Sequence, residues 1–134
     1  RQLTFINTHL DYLPEPAYQG ALRLRAELDA RFPDDACILT GDFNMEKDSP
    51  AYHALIADDG NARGFYDTFR AVHHGAQDEG TFHDFGRRQV RPSIDWLLAT
   101  SEFETVEAGI DRHHQGDLYP SDHCPIFAVL DWSG

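Results

Sequence analysis

Two strand-like segments separated by a helical pattern set the main constraint on how this chain folds. Residues 3–10 (LTFINTHL) and 37–39 (CIL) are rich in β-branched and apolar side chains, which is typical of buried strands. Between them, four apolar residues recur at helical spacing: Ala21, Leu24, Leu28 and Phe32. Residues 33–35 (PDD) then end the pattern. This part of the chain is therefore predicted to run strand, helix, strand.

The rest of the chain predicts one more helix followed by several strands. Ser49 offers a capping hydroxyl and Pro50 suits the first helical position, so we expect a helix from there to about Gly60. Four later segments have strand character: residues 80–82, 94–98, 103–110 and 126–132. This order predicts an α/β fold in which two helices cover one face of a mixed β-sheet. Nothing evident in the chain covers the other face.

The length and charge limit the organisation and the partners of the protein. A chain of 134 residues with no linker or repeat is predicted to form one domain. The net charge of −12 weighs against general adhesion to nucleic acid, which depends on many Lys and Arg side chains, although a nucleic acid stays possible. A phosphate ester substrate remains compatible with this charge, because bound cations reverse the field locally.

The chain shows no sign of a membrane span or of a targeting segment. No apolar run approaches the roughly 20 residues that a membrane helix needs. The sequence begins at Arg1 and runs straight into a predicted strand, which suggests a processed or excised piece whose N-terminal signal would lie ahead of it. The location stays open from the sequence, with the cytoplasm favoured.

The two cysteines do not form a disulfide framework. Cys37 lies inside an apolar run and is predicted to be a core residue. Cys124 follows His123, but adjacency in sequence does not make a nucleophile–base pair, so a catalytic thiol is not expected.

Polar residues occur in or just after four of the predicted strands: Asn7-Thr8-His9, Gly41-Asp42-Phe43-Asn44, Asp95 and Ser121-Asp122-His123. Asp95 is the sharpest case, because apolar residues surround it and a buried carboxylate is costly without a partner. His123 and His9 are both candidates for that partner. Each motif alone also has a structural interpretation; GDFN alone, for example, is compatible with a simple turn. Their joint occurrence favours a catalytic site.

Five segments together resemble the endonuclease/exonuclease/phosphatase (deoxyribonuclease I-like) superfamily: FINTHLD, LTGDFNM, GTFHDF, SIDWLLAT and YPSDHCPI. The resemblance covers nearly the whole chain, in the order of the family. It implies hydrolysis of a phosphodiester or phosphomonoester with Mg²⁺ or Mn²⁺. It also implies that residues 1–134 form a partial domain, the C-terminal half of a four-layer α/β sandwich.

The resemblance assigns roles to individual residues. Asp42 would orient the attacking water, and Asn44 would bond phosphate oxygens. His123 would act as general base or acid, with Asp95 supporting it. His9 would stabilise the phosphoryl oxygens or protonate the leaving group.

The metal site implied by the resemblance is shared between two parts of the domain. Asp122 and His123 would belong to it, and Asn7 would support the same site. The principal ligand, a Glu, belongs to the half that precedes residue 3 in the family. We therefore expect little or no activity from this chain alone, and self-association through the uncovered sheet face.

The sequence departs from the family pattern at Ser93, where an Arg or Lys is common. Arg87, Arg88 and Arg91 lie just upstream and either contact an anionic substrate or belong to a solvated loop.

Two other functions remain open from the sequence. One is a non-catalytic binding or interaction domain that retains the fold, which an upstream Glu-bearing strand would argue against. The other is a zinc protein that uses the paired histidines at 73–74 and 113–114 together with acidic residues, although their spacing matches no closed zinc set.

Overall fold

A computed structural model describes residues 2–56, 64–75 and 78–134. These residues form six strands and three helices, in the order β1 (Leu3–His9), α1 (Pro14–Arg31), β2 (Ala36–Asp42), α2 (Pro50–Leu55), β3 (Phe65–Asp67), α3 (Thr68–Val72), β4 (Asp95–Thr100), β5 (Phe103–Ile110) and β6 (Ile126–Trp132). No helix in this part of the chain has the length and apolar character needed to cross a membrane.

The strands form two sheets. The larger has the order β1-β2-β4-β3, in which β1 and β2 are parallel and β4 is antiparallel to both of its neighbours. The predicted mixed sheet is therefore confirmed. Strands β5 and β6 pair with each other in a separate antiparallel sheet. The sequence did not indicate β3 or α3.

One face of the larger sheet carries the main hydrophobic core beneath α1 and α2. Leu39, Trp96 and Leu98 of the sheet pack with Ala21 and Leu28 of α1 in this core. Helix α2 begins as predicted, with the Ser49 side chain accepting a hydrogen bond from the backbone N–H of residue 52. The helix ends at Leu55, and residue 60, its predicted end, lies outside the described residues.

The opposite face of the larger sheet is only partly covered. Ala36, Ile38 and Ala99 pack there against Phe103 and Leu130 of the smaller sheet. The expectation of a face without any cover is therefore too simple, because β5 and β6 turn back over one end of it.

The exposed part of this face includes β1. Leu3 and Phe5 pair in register with Ala36 and Ile38, so they point to the same side, and they are 48% and 63% exposed.

A buried ion pair fixes the segment after β2 to the start of α3. The Lys47 ammonium lies 2.9 Å from Asp67, and both side chains are only 6% exposed. Asp67 also accepts a hydrogen bond from the Tyr52 hydroxyl and caps α3 through the backbone N–H groups of Phe69 and Arg70. Burial and the charge of Asp67 raise the pKa of Tyr52, so its hydroxyl stays a donor.

We expect Asp67→Asn to lower the free energy of unfolding by about 3 kcal/mol, because it leaves the buried Lys47 charge without its closest partner. Asp48→Asn is the matched control: Asp48 pairs with Arg70 but its side chain is 60% exposed, so the loss should be about 1 kcal/mol or less. Urea denaturation of both variants measures the difference. Equal losses of unfolding free energy in the two variants would show that the buried Lys47–Asp67 pair stabilises the fold no more than the exposed Arg70–Asp48 pair does.

Candidate active site

Sheet register brings three predicted site residues into one row. His9, the last residue of β1, pairs with Asp42, the last residue of β2, and Asp42 pairs with Asp95, the first residue of β4. The His9 Nε2 atom lies 3.5 Å from the Asp42 Oδ2 atom. Because paired residues point to the same side of a sheet, all three side chains lie on the face opposite α1 and α2. Asp95 thus opens its strand instead of lying within it.

The GDFN motif begins with a close approach of two strands. A Cβ atom at Gly41 would lie 2.0 Å from the Thr8 carbonyl oxygen, so only glycine permits β1 and β2 to pair here. The next residue is Asp42, whose side chain lies at the edge of the open cleft. Gly41 is therefore needed for strand pairing. The left-handed backbone of this turn occurs at Asn44, with φ of 53°.

Asn44 holds the Asp42 carboxylate in place. The Asn44 backbone N–H donates to Asp42 Oδ1 at 2.9 Å, and its side-chain amide donates to the Leu10 carbonyl at 2.7 Å. A side-chain amide has two N–H donors, so one remains for a ligand oxygen. Phe43 lies between Asp42 and Asn44 in the sequence. It is fully buried and stacks on Trp96 with ring centroids 4.2 Å apart. The motif is thereby anchored in the core while its polar side chains stay at the edge.

His123 completes the site from the β5–β6 connection. Its Nδ1 atom lies 2.7 Å from Asp95 Oδ2, and its Nε2 atom lies 3.9 Å from Asp42 Oδ2. His123 is thus the partner of Asp95, and His9 is not. Partial burial lowers the pKa of His123, but the hydrogen bond to Asp95 and the negative charges of Asp95 and Asp42 outweigh it, so the pKa is raised above its ordinary value.

A segment whose structural role the sequence did not reveal joins this histidine to the sheet. The buried Thr81 hydroxyl accepts hydrogen bonds from the backbone N–H groups of Ile94 and Asp95, both at 3.2 Å. The Thr81 carbonyl accepts one from the Cys124 N–H at 2.7 Å. Phe82 forms a β-bridge with His123, and their rings are 5.0 Å apart. The sequence signals here were the resemblance of GTFHDF to a family motif and the strand character of residues 80–82, of which the structure forms only the single bridge at Phe82.

The two remaining predicted residues lie near the row but are engaged elsewhere. Asn7 donates to the Thr40 hydroxyl at 2.8 Å, on the face that carries Asp42. The Asp122 backbone carbonyl accepts from the N–H groups of His83 and Asp84, and its side chain accepts a hydrogen bond from the hydroxyl of the preceding serine at 3.3 Å.

The described residues contain one group of three side chains close enough to share a metal ion, and Asp122 is not in it. Ligand atoms of Asp42, Asp95 and His123 all lie within 4.8 Å of one another. Mg²⁺ takes oxygen ligands and usually binds only one or two carboxylates, so the carboxylate pair is chemically suited to such an ion. The Nδ1 atom of His123 already forms a hydrogen bond with Asp95, so it is not available as a metal ligand. The three residues therefore do not form a complete coordination shell by themselves.

Two alternatives raised by the sequence gain no support from these contacts. Burial raises the pKa of the Cys124 thiol, although Arg112 and Arg91 act against this, and a protonated thiol is a poor nucleophile. Within the described residues, no paired histidine belongs to the group of potential metal ligands. His73 instead bonds the Ala108 carbonyl, and His114 bonds the carbonyl of residue 116.

A model described as Endonuclease/Exonuclease/phosphatase family matches residues 2–123. No curated protein matches the chain.

Several solved structures are similar. An endonuclease/exonuclease/phosphatase from Bacteroides vulgatus is 26% identical with a TM-score of 0.78, and the match covers 93% of this chain and 48% of that one. A mannosyl-6-phosphatase from Bacteroides thetaiotaomicron is 22% identical with a TM-score of 0.75, with 96% and 51% covered. The human Nocturnin catalytic domain is 17% identical with a TM-score of 0.73, with 96% and 46% covered. The predicted fold class is confirmed, and the chain spans about half the length of these structures.

We expect Asp95→Asn to lower the pKa of His123, because the substitution removes the charge that favours the imidazolium form. Titration of the His123 ring resonances by NMR measures this shift. Asp48→Asn serves as the control, because Asp48 pairs with Arg70 and is not among the groups that shift His123. An unchanged His123 pKa in Asp95→Asn would contradict the charge coupling inferred from the 2.7 Å contact.

Proposed function

Because this chain belongs to the endonuclease/exonuclease/phosphatase family, whose members are hydrolases acting on phosphoester bonds, we propose that it carries the water-activating part of a phosphoesterase site. The observation that supports this most strongly is the His123–Asp95 pair facing the Asp42 carboxylate on the exposed side of the sheet. The substrate is a phosphodiester or phosphomonoester.

The proposed reaction is in-line attack of water on phosphorus. With its Nδ1 proton directed to Asp95, neutral His123 has a free Nε2 lone pair that accepts a proton from the water. Asp42 orients that water. A bond forms between the water oxygen and phosphorus, and the bond from phosphorus to the leaving oxygen breaks.

The donors at the edge of the sheet would serve the phosphoryl group. Asn44 has one amide N–H left after bonding Leu10, and we assign it to a phosphoryl oxygen. His9, with 71% of its side chain exposed, is free to approach the substrate and to stabilise the phosphoryl oxygens or protonate the leaving oxygen.

We also propose that the site binds a divalent cation, Mg²⁺ or Mn²⁺, for which Asp42, Asp95 and His123 are the candidate ligands. Within this chain we assign it to the Asp42 side of the site, with His123 beside it and Asp122 organising the connection that carries His123. A bound cation supplies charge stabilisation to the phosphoryl oxygens. The further Glu ligand expected from the resemblance would come from outside residues 1–134.

We expect the isolated chain to show little or no phosphoesterase turnover, since it spans about half the length of similar structures. A version extended by an N-terminal half should be active with Mg²⁺ or Mn²⁺ against a panel of phosphate esters. In that version, Asp42→Asn and His123→Ala should each lower kcat about 10²–10⁴-fold. Asp48→Asn is the control and should leave kcat unchanged.

An extended protein that binds phosphate esters without turning them over would point to the non-catalytic binding domain instead. Equal turnover by the isolated chain and the extended protein would refute the assignment of an outside ligand.

We also propose that the isolated chain self-associates through the exposed part of the sheet face. Phe5→Ser should lower the mass measured by sedimentation, because it removes the most exposed apolar side chain of β1. Val90→Ser is the control, since Val90 is 79% exposed but lies in a loop. A monodisperse monomer for the unmodified chain would falsify this proposal.

A further inference from the structure

A second cavity, of about 110 Å³, adjoins the proposed site on the far side of His123. One side of the cavity is formed by the segment before β4, which carries His83 and Arg91. The other side is formed by the connection from β5 to β6. Cys124 and Pro125 line both this cavity and the open cleft that contains Asp42 and Asp95. The cavity and the cleft are therefore neighbours that share part of their walls.

A buried histidine offers a free donor to this cavity. His83 is only 4% exposed and lines it. The His83 Nδ1 atom accepts a hydrogen bond from the Gly86 N–H at 3.1 Å, so in the neutral ring the proton resides on Nε2. That Nε2–H has no hydrogen-bond partner among the described residues. This N–H is not sealed off from the cavity, so it is available to a ligand acceptor there.

The wall next to His83 is formed by stacked rings that depend on a glycine. The rings of His83 and Tyr119 are 4.8 Å apart, and Tyr119 stacks on His114 at 4.5 Å. Gly86 has φ of +80°, and a Cβ atom there would lie 2.5 Å from the Tyr119 hydroxyl oxygen. A larger residue at position 86 would displace the Tyr119 ring, so this wall of the cavity depends on Gly86.

The charges on the cavity wall favour an anion, in contrast to the net charge of −12 for the whole chain. Arg91 and Arg112 both line it. Arg112 is held there by hydrogen bonds to the carbonyls of Gly80 and Asp78, at 2.7 and 3.0 Å, and its charge is partly balanced by the Asp78 carboxylate at 3.3 Å. Of the described residues lining the cavity, Asp111 alone carries a carboxylate, and its Oδ1 atom is occupied by the His113 N–H.

Contacts of the neighbouring arginines single out Arg91. Arg87 lies 3.8 Å from the Asp84 carboxylate, and Arg88 lies over the Phe82 ring. Neither lines the cavity.

We propose that this cavity is a subsite for a second compact anionic group, phosphate-sized, on a small-molecule substrate. This rests on the proposed phosphoesterase function, because the scissile group must lie at Asp42. The volume is far below the 300–1,000 Å³ of pockets that enclose a whole ligand, so the cavity accommodates one group and not a nucleoside. His83 Nε2–H and the Arg91 guanidinium would bind the anion directly, and the Arg112 charge would stabilise it.

Inorganic phosphate is the probe, titrated into the chain in the presence of EDTA so that no metal-dependent phosphate site contributes. Calorimetry should detect saturable binding, and the His83 ring resonances should shift in NMR spectra. Arg91→Gln should weaken binding about tenfold or more, the equivalent of about 1.4 kcal/mol. The matched control, Arg87→Gln, removes the same charge from the same segment and should change binding less than about twofold.

Three results would overturn the subsite: no saturable phosphate binding, equal weakening by Arg91→Gln and Arg87→Gln, or unchanged binding in His83→Asn that remains folded. A short oligothymidylate that competes with phosphate more strongly than methyl phosphate does would overturn the small-molecule assignment.

The Asp42→Asn variant separates this inference from the proposed function. It should bind phosphate like the unmodified chain while the extended protein carrying it loses turnover. Arg91-dependent binding in an otherwise unmodified extended protein that shows no turnover would reject the phosphoesterase, whereas turnover of the extended protein without that binding would reject the subsite.

Discussion

The pairing of β2 with both of its neighbours is the constraint on which the site depends. Parallel pairing with β1 places His9 beside Asp42, and antiparallel pairing with β4 places Asp95 on the other side. A shift of either pair by one residue would turn the corresponding side chain to the opposite face. The absence of a side chain at Gly41 permits the first pairing, so the smallest residue of the GDFN motif fixes the position of its carboxylate.

The sheet keeps its apolar and its polar requirements on separate faces. Leu39, Trp96 and Leu98 point toward the helices, and the residues that alternate with them point away. This alternation lets Asp42 and Asp95 lie next to a tightly packed core without being buried in it; their side chains remain 24% and 15% exposed. Partial exposure keeps the cost of two nearby carboxylates low, and His123 between them offsets their repulsion.

The sequence was sufficient to predict elements formed by local pattern and the residues that end them. Strands at 3–10 and 103–110, the first helix and the mixed sheet follow from periodicity. The motifs named His9, Asp42, Asp95 and His123, which the structure brings together at one edge of the sheet. The sequence did not reveal the separate pairing of β5 with β6, or the Lys47–Asp67 ion pair. These depend on contacts between residues distant in sequence, which leave no periodic signal. The partner of Asp95 was left open between two histidines for the same reason.

The chemistry and the proposed substrate subsite share one structural support. His123 does not belong to the larger sheet, and its position is set by the hydrogen bonds of Thr81 and the bridge to Phe82. The next residue, His83, lines the second cavity and receives the Gly86 N–H. Any movement of residues 81–83 would therefore alter both the His123–Asp95 contact and the shape of the cavity. Arg91 lines the cavity from outside that segment, so under our proposal it is the position where the subsite can vary without moving His123.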